Sequence, residues 1–334
     1  MINVGIVGYG YWGPNLVRNF NSCKNTHVVA VCDTRREQLA KMKALYPAVA
    51  SETDFQRLLV NPQIDAIAIA TSVASHYPLA LKALEAGKHI FVEKPFTTTV
   101  EQAQKLIDEA AKRKLTIQVD HTFLYTGAVR KIKELVNTGE LGDLYYFDSV
   151  RVNLGLFQHD VNVLWDLAVH DLAIMDYILG QEPKAISATG VSHVQGQPED
   201  VAHMTCFFNN NLMSHFHVNW LAPVKIRQTL IGGSKKMIVY DDIQVSEKVK
   251  VYDKGITVKN QDDIYNLLVQ YRSGDVWIPK LDMSEALAVE AEHFADCIEH
   301  GKTPISDGLA GLHVVKILEA ASKSLKLCGE PINL

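Results

Sequence analysis

The sequence has no apolar run long enough to span a membrane, no Cys-x-x-Cys pair, no His-Glu-x-x-His motif, no internal repeat, no low-complexity stretch and no excess of basic residues. Each absence removes a class. Five cysteines (Cys23, Cys32, Cys206, Cys297 and Cys328) are an odd and unpatterned set, which argues against a disulfide framework or a thiolate zinc site and fits a reducing compartment. Lys and Arg number 33 against 38 Asp and Glu, a net charge of -5, so nucleic acid is not the expected partner. The opening MINVGIVGYG runs directly into a strand-like segment, without the charged and apolar regions of a secretory signal. The expectation is a cytoplasmic protein with neither a membrane nor a nucleic-acid partner. At 334 residues, 47% hydrophobic and 21% charged, the chain has room for two ordinary globular domains.

The first 120 residues alternate short apolar runs with helical patterns. Strands are expected at Ile2–Val7, Thr26–Cys32, Ile64–Ala70, His89–Val92 and Thr116–Val119. Helices are expected at Pro14–Asn21, Arg35–Leu45, His76–Ala86 and Val100–Lys112. Such alternation builds βαβ units and a parallel, doubly wound sheet. After residue 120 the pattern changes. Helices at Gly127–Asn137 and Leu164–Leu179 flank a strand at Leu144–Val152. Strands then follow one another at Ala185–Val191, His203–Phe208, Leu212–Trp220, Ile226–Gly232 and Lys236–Asp241, with Asn209–Asn211 as a hairpin turn. Helices at Ser284–His300 and Gly308–Leu327 close the chain. The expected division is an N-terminal α/β domain over 1–120 and an α+β domain with a largely antiparallel sheet over 121–334.

The segment Gly8-Tyr-Gly10-Tyr-Trp-Gly13 ends the first strand and opens the first helix. In a dinucleotide site Gly8 permits the tight turn, Gly10 lets the backbone approach a pyrophosphate, and Gly13 lets helix and strand pack closely. The phosphates then meet free N–H groups at the helix N-terminus. Tyr11 and Trp12 lie within this loop. Asp33, at the end of the second strand, has the spacing of an acid that binds the ribose 2′-hydroxyl, which favours NAD over NADP. Arg35 and Arg36 follow closely and would suit a 2′-phosphate, so NADP stays open; as solvated residues of a first helical turn they would do neither.

VEKPF at residues 92–96 is more specific. Together with ATSVASHYPLALKALEAGKHIFVEKP (70–95), WDLAVHDLAIMDYILG (165–180) and PISDGLAGLHVVKILEAASKSLKLCGEPINL (304–334), it resembles the glucose–fructose oxidoreductase, inositol dehydrogenase and rhizopine catabolism (Gfo/Idh/MocA) family along essentially the whole chain. The resemblance implies a Rossmann domain and a second domain on a large open sheet, often used to form homodimers or homotetramers. It implies an active site with Lys94, Asp166 and His170, and it puts Thr71, Ser72, His76 and Glu93 near the cofactor. Residues 120–142, 151–155 and 274–298 look closer to a branch that acts on nucleotide-linked sugars in bacterial polysaccharide and glycosylated natural-product pathways. That branch often has Ala-Pro before the motif histidine, where this chain has Val169.

Oxidation of a secondary alcohol needs a proton acceptor and a group that stabilises developing charge on oxygen. Asp166 and His170 are four residues apart and share one helix face. An ordinary imidazole titrates near ~6.5 and suits the acceptor role. Lys94 ends a parallel strand, where doubly wound sheets bind ligands, and its ammonium suits the reacting oxygen. Tyr125, Arg151, Asn153 and Trp165 are candidates to hold a sugar. Ordinary roles compete with these: Asp166 as a helix cap, His170 as a satisfied buried ring. His215 and His217 share one strand face, but no third ligand accompanies them and no metal site is expected. The expected activity is NAD(P)-dependent hydride transfer at a secondary hydroxyl or keto group of a sugar, in particular a nucleotide-linked one, with inositol or free-sugar oxidation, redox-neutral elimination or hydrolysis on tightly held NAD, or non-catalytic NAD sensing as alternatives.

Overall fold

A computed structural model describes residues 1–155, 161–253, 255–257, 270–272 and 274–334. The elements run β1 (Ile2–Val7), α1 (Gly13–Ser22), β2 (Thr26–Cys32), α2 (Arg36–Leu45), β3 (Ala50–Glu52), α3 (Phe55–Leu59), β4 (Ala66–Ile69), α4 (Val73–Glu85), β5 (His89–Glu93), α5 (Val100–Arg113) and β6 (Ile117–Asp120). After a short 3-10 turn come α6 (Gly127–Asn137), β7 (Leu144–Leu154), a π-helical turn at Leu164–Ala168 and α7 (Val169–Leu179). Then follow β8 (Ala185–Val191), β9 (Val201–Phe207), β10 (Met213–Asn219), β11 (Leu221–Gly233), β12 (Met237–Asp241), β13 (Val249–Tyr252), β14 (Gly255–Thr257), β15 (Gln270–Arg272), β16 (Val276–Trp277), α8 (Ala286–His300), α9 (Gly308–Lys326) and β17 (Ile332–Asn333).

Contacts divide the chain into two compact units, Met1–Thr126 with Ser284–Lys316, and Gly127–Met283 with Ile317–Leu334. In the first unit the described strands form a parallel sheet in the order β3-β2-β1-β4-β5-β6. This is the doubly wound order, with its switch point between β1 and β4. Val4, Ile6, Ala66, Ala68 and Phe91 are buried because helices cover both faces. Helix α5 shows how local sequence sets an element: Thr99 caps it by accepting from the Gln102 N–H at 3.2 Å, Glu101 sits in its first turn, and Lys112 and Arg113 in its last. Helix α8 belongs to this unit because Phe294 fills a gap beside Phe20 and Phe91. The three rings meet edge to face at centroid separations of 5.3, 5.6 and 6.2 Å.

In the second unit the described strands form a nine-stranded sheet, ordered β16-β13-β12-β11-β7-β10-β9-β8-β17. Its pairs are antiparallel except β7 with β10. One face is apolar and buried, through Ala202, Met204, Cys206, Phe216 and Val218, while the residues alternating with them are less covered. Helix α7 is buried nearly all round, at Val169, Leu172, Ala173, Ile174, Met175 and Ile178.

The sequence reading leaves out β3 and α3. A three-residue strand and a five-residue helix are too short for a period to show. It also takes Leu164–Leu179 as one regular helix, whereas its first turn is π-helical, and it begins β11 at Ile226 rather than Leu221. It also leaves out β13 and the two-residue edge strands β16 and β17.

Candidate active site

A cavity of about 620 Å³ lies along the C-terminal ends of β1, β2, β4 and β5 in the first unit. Its wall includes Gly8, Gly10, Tyr11, Trp12, Asp33, Thr71, Ser72, Glu93 and Lys94. The glycine loop fits a dinucleotide for steric reasons. Gly8 has φ +93°, and a Cβ there would meet the Ala70 carbonyl at 2.5 Å; a Cβ on Gly13 would meet the Gly8 carbonyl at 2.1 Å. Helix α1 carries Pro14 in its first turn, no side chain caps it, and that turn has no acid, so its N-terminus suits an anion. Asp33 is buried and accepts from the Tyr9 N–H at 2.8 Å and the Arg35 N–H at 2.9 Å. Burial alone would raise its carboxyl, but hydrogen bonds from Arg35 and Tyr9 hold it below the ordinary carboxylate range.

Lys94 follows β5 directly, and its peptide bond to Pro95 is cis. Its backbone N–H donates to Glu93 Oε2 at 2.9 Å. His76 is buried behind this corner, with Nδ1 2.9 Å from the Pro95 carbonyl and Nε2 3.1 Å from the Thr71 carbonyl. Burial pushes its pKa down, so the ring is neutral and donates to one of the two.

In the second unit Asp166 stands in the π-helical turn and His170 in the first turn of α7. Asp166 Oδ2 accepts from the indole N–H of buried Trp220 at 3.0 Å. The imidazole of His170, four residues on, is half-buried.

The N-terminal model of the oxidoreductase family with an NAD-binding Rossmann fold matches residues 2–121, and the model of the GFO/IDH/MocA C-terminal domain matches residues 129–239. The chain belongs to the Gfo/Idh/MocA oxidoreductases. It is 26% identical to the scyllo-inositol 2-dehydrogenase (NAD(+)) of Bacillus subtilis, over 100% of this chain and 95% of that one. It is 25% identical to the UDP-N-acetylglucosamine 3-dehydrogenase of Acidithiobacillus ferrooxidans, over 94% of each. An Agrobacterium radiobacter oxidoreductase, solved with NAD+, L-tartaric acid and magnesium, shares the fold at a TM-score of 0.81 and 17% identity, covering 99% of this chain and 98% of that one.

Nine of the residues expected at the cofactor line the cavity, whereas Gly13 and His76 lie behind it, where they shape the loop and brace the Lys94 corner. Two of the four candidates for holding sugar are buried and bonded within the protein. Arg151 is only 3% exposed, and its Nε and a terminal nitrogen bind Asp171 at 2.8 and 2.7 Å, so the guanidinium is committed to packing β7 on α7. Tyr125 is 2% exposed, with its hydroxyl 3.1 Å from Ser306 Oγ inside the first unit. Trp165 is half-buried and donates to Ser322 at 2.9 Å; Asn153 is half-buried on the same strand face as Arg151.

The sequence reading misses Thr34, Thr53, Phe55, Ser75 and Leu79, which also line the cavity. Thr53 and Phe55 follow the unrecognised β3, and only the strand–turn–helix rhythm of the unit could have flagged them. The reading also misses a third imidazole beside His215 and His217. His203, on the adjacent strand, stacks on His217 at 4.3 Å between centroids. Among the described residues no set of three potential ligands has metal-binding geometry.

Proposed function

We propose that this oxidoreductase interconverts a secondary hydroxyl and a ketone on a sugar, in particular a nucleotide-linked sugar. The observation that carries the reading is Lys94 on the wall of the nucleotide cavity beside Glu93, at the end of a central parallel strand. Bound NAD supplies the acceptor for the hydride that leaves carbon. Gly8, Gly10 and the N-terminus of α1 would hold its pyrophosphate, and Asp33 its adenosine ribose. Lys94 donates to the reacting oxygen and stabilises negative charge there. His170 takes the hydroxyl proton, and Asp166, oriented by Trp220, keeps the imidazole in place or binds the neighbouring hydroxyl. The similarity to a UDP-N-acetylglucosamine 3-dehydrogenase supports the nucleotide-sugar class, and the similarity to an inositol dehydrogenase supports a free polyol as the second reading.

Incubation with NAD and a panel of UDP-sugars, free sugars and inositols tests this, with NADH absorbance as readout. Turnover confined to nucleotide sugars supports the first reading, and turnover confined to inositols or free sugars supports the second. Binding of NADH with no turnover on any member would favour a sensor. Five unpaired cysteines support a cytoplasmic setting, and no helix among the described residues is long and apolar enough to cross a membrane. The less covered face of the nine-stranded sheet is the surface we assign to pairing with a second copy, which light scattering tests.

A further inference from the structure

Three carboxyl groups converge in the first unit, and the reaction outlined above uses none of them for chemistry. Glu93 and Asp120 are register partners at the C-terminal ends of β5 and β6. Side chains of paired residues on adjacent strands lie on the same face. Glu290 reaches the same place from α8 and is fully buried, and neither of its oxygens has a donor. Asp120 is different. It is 2% exposed, its Oδ2 accepts from the Trp12 indole N–H at 2.8 Å, and its Oδ1 accepts from the Thr122 hydroxyl. Lys94, His121 and Tyr125 are the other titratable groups around the three acids.

Three acids crowded together, two of them buried and the third beside Lys94, cannot all be charged. His121 does not help, because burial pushes its pKa down to about 4 and leaves the ring neutral. Burial and the neighbouring Asp120 push the carboxyls of both Glu290 and Glu93 well above their ordinary value. Asp120, with a donor on each oxygen, is the member built to carry the charge. Its indole donor belongs to the glycine loop and lines the nucleotide cavity, so the cluster is tied directly to the cofactor wall.

We propose that Asp120 is a positioning residue of the nucleotide site, which clamps the Trp12 indole to the end of β6 and is braced from behind by the protonated carboxyl of Glu290. Asp120 touches no ligand in this arrangement and acts through Trp12. Glu290 donates its proton toward Asp120, so the brace is a neutral acid on a carboxylate rather than two repelling charges. The inference rests on the reading of this cavity as the NAD site and not on the identity of the sugar.

The test is a double-mutant cycle on the full-length chain, with NADH as probe and its own emission as readout. Trp12→Phe removes the indole donor and keeps a ring, and Asp120→Asn removes the charged acceptor. Each weakens NADH binding about tenfold, the loss of one hydrogen bond to a charged group, and the double variant is no weaker than either single one. Glu290→Leu weakens binding to the same extent, and Glu290→Gln, which can still donate to Asp120, recovers most of the loss. As rising pH ionises Glu290 the wild type loses affinity, and Glu290→Gln does not. Single effects that multiply in the double variant overturn the clamp, as do single variants that bind like the wild type. If Asp120→Asn does not fold, the cycle is run with Glu290→Leu against Trp12→Phe under the same criteria. Wild-type protein that does not bind NADH overturns the reading of the cavity itself, whereas a negative sugar panel leaves the clamp standing.

Discussion

Arg35 folds back on Asp33, so that its Nε and a terminal nitrogen each lie 3.2 Å from a different oxygen of the same carboxylate. The pair stands at the wall where a ribose would lie, and a Cβ on Gly10 would be 3.4 Å from the guanidinium. The carboxylate favours a ribose hydroxyl and repels a 2′-phosphate, while the arginine would favour the phosphate once released. NADH therefore binds more tightly than NADPH, and Asp33→Ala narrows or reverses the order by weakening NADH about tenfold and freeing Arg35. Titration of both reduced cofactors checks this. Tighter NADPH binding by the wild type would make Arg35 the determinant.

Lys94→Met removes a donor to the reacting oxygen while keeping a long side chain. Turnover on the substrate found by the panel falls at least about a hundredfold, and NADH affinity changes little. Steady-state rates and NADH titration separate the two effects. A variant that binds NADH and still turns over normally would exclude Lys94 from the chemistry.

Trp220 and Asp166 test the proton path. His170→Asn abolishes most oxidation and with it the fall in rate on the acid side, because that fall reports protonation of the acceptor. Trp220→Phe removes the indole N–H that orients Asp166 and shifts the acid limb while leaving NADH affinity intact. The measurement is the oxidation rate against pH. An unchanged limb in His170→Asn would move the proton to another group, with Lys94 the next to test.

Much of this was legible in the sequence, for physical reasons that also mark where legibility ends. Ile2–Val7 and Thr26–Cys32 could be read to the residue because buried parallel strands are continuous apolar runs closed by glycine or acid. Gly8 and Gly13 could be read because no other residue fits their backbone and spacing. Arg151 could not: an arginine that binds a sugar and one buried against Asp171 look alike until α7 is laid on β7. Nor could the return of α8 to the first unit, since an apolar stripe around Phe294 says only that some core receives it, not which one.

The Arg151–Asp171 pair gives a stability prediction that leaves binding aside. Both side chains are almost fully buried and bonded twice over. Asp171→Ala removes both of these bonds from a buried guanidinium and costs about 3–5 kcal/mol, whereas replacement of both residues by apolar ones of similar volume costs far less. Urea unfolding of the single and double variants checks the contrast, and a loss below about 1 kcal/mol in Asp171→Ala would show that water reaches the guanidinium.

His121 gives the last prediction. The ring is 2% exposed, and neither nitrogen has a hydrogen-bond partner among the described residues. Burial pushes its pKa from 6.5 down to about 4, with the Asp120 charge pulling upward and the Lys94 charge downward. Below the unfolded value the unfolded chain takes up a proton that the folded chain refuses. The stability associated with the neutral ring is therefore complete above ~6.5 and falls as the pH drops toward about 4, by about 3 kcal/mol in total. His121→Phe keeps a flat ring of similar size and has no proton to refuse. Its unfolding free energy should exceed that of the wild type by an amount that grows steadily as the pH falls from 7 toward 4. Other histidines whose pKa burial lowers, such as His76 and half-buried His89, titrate in both proteins and cancel in the difference. A difference that stays flat across that range would mean the folded protein protonates His121 as readily as the unfolded chain does, which requires a water or an acceptor at one of its nitrogens.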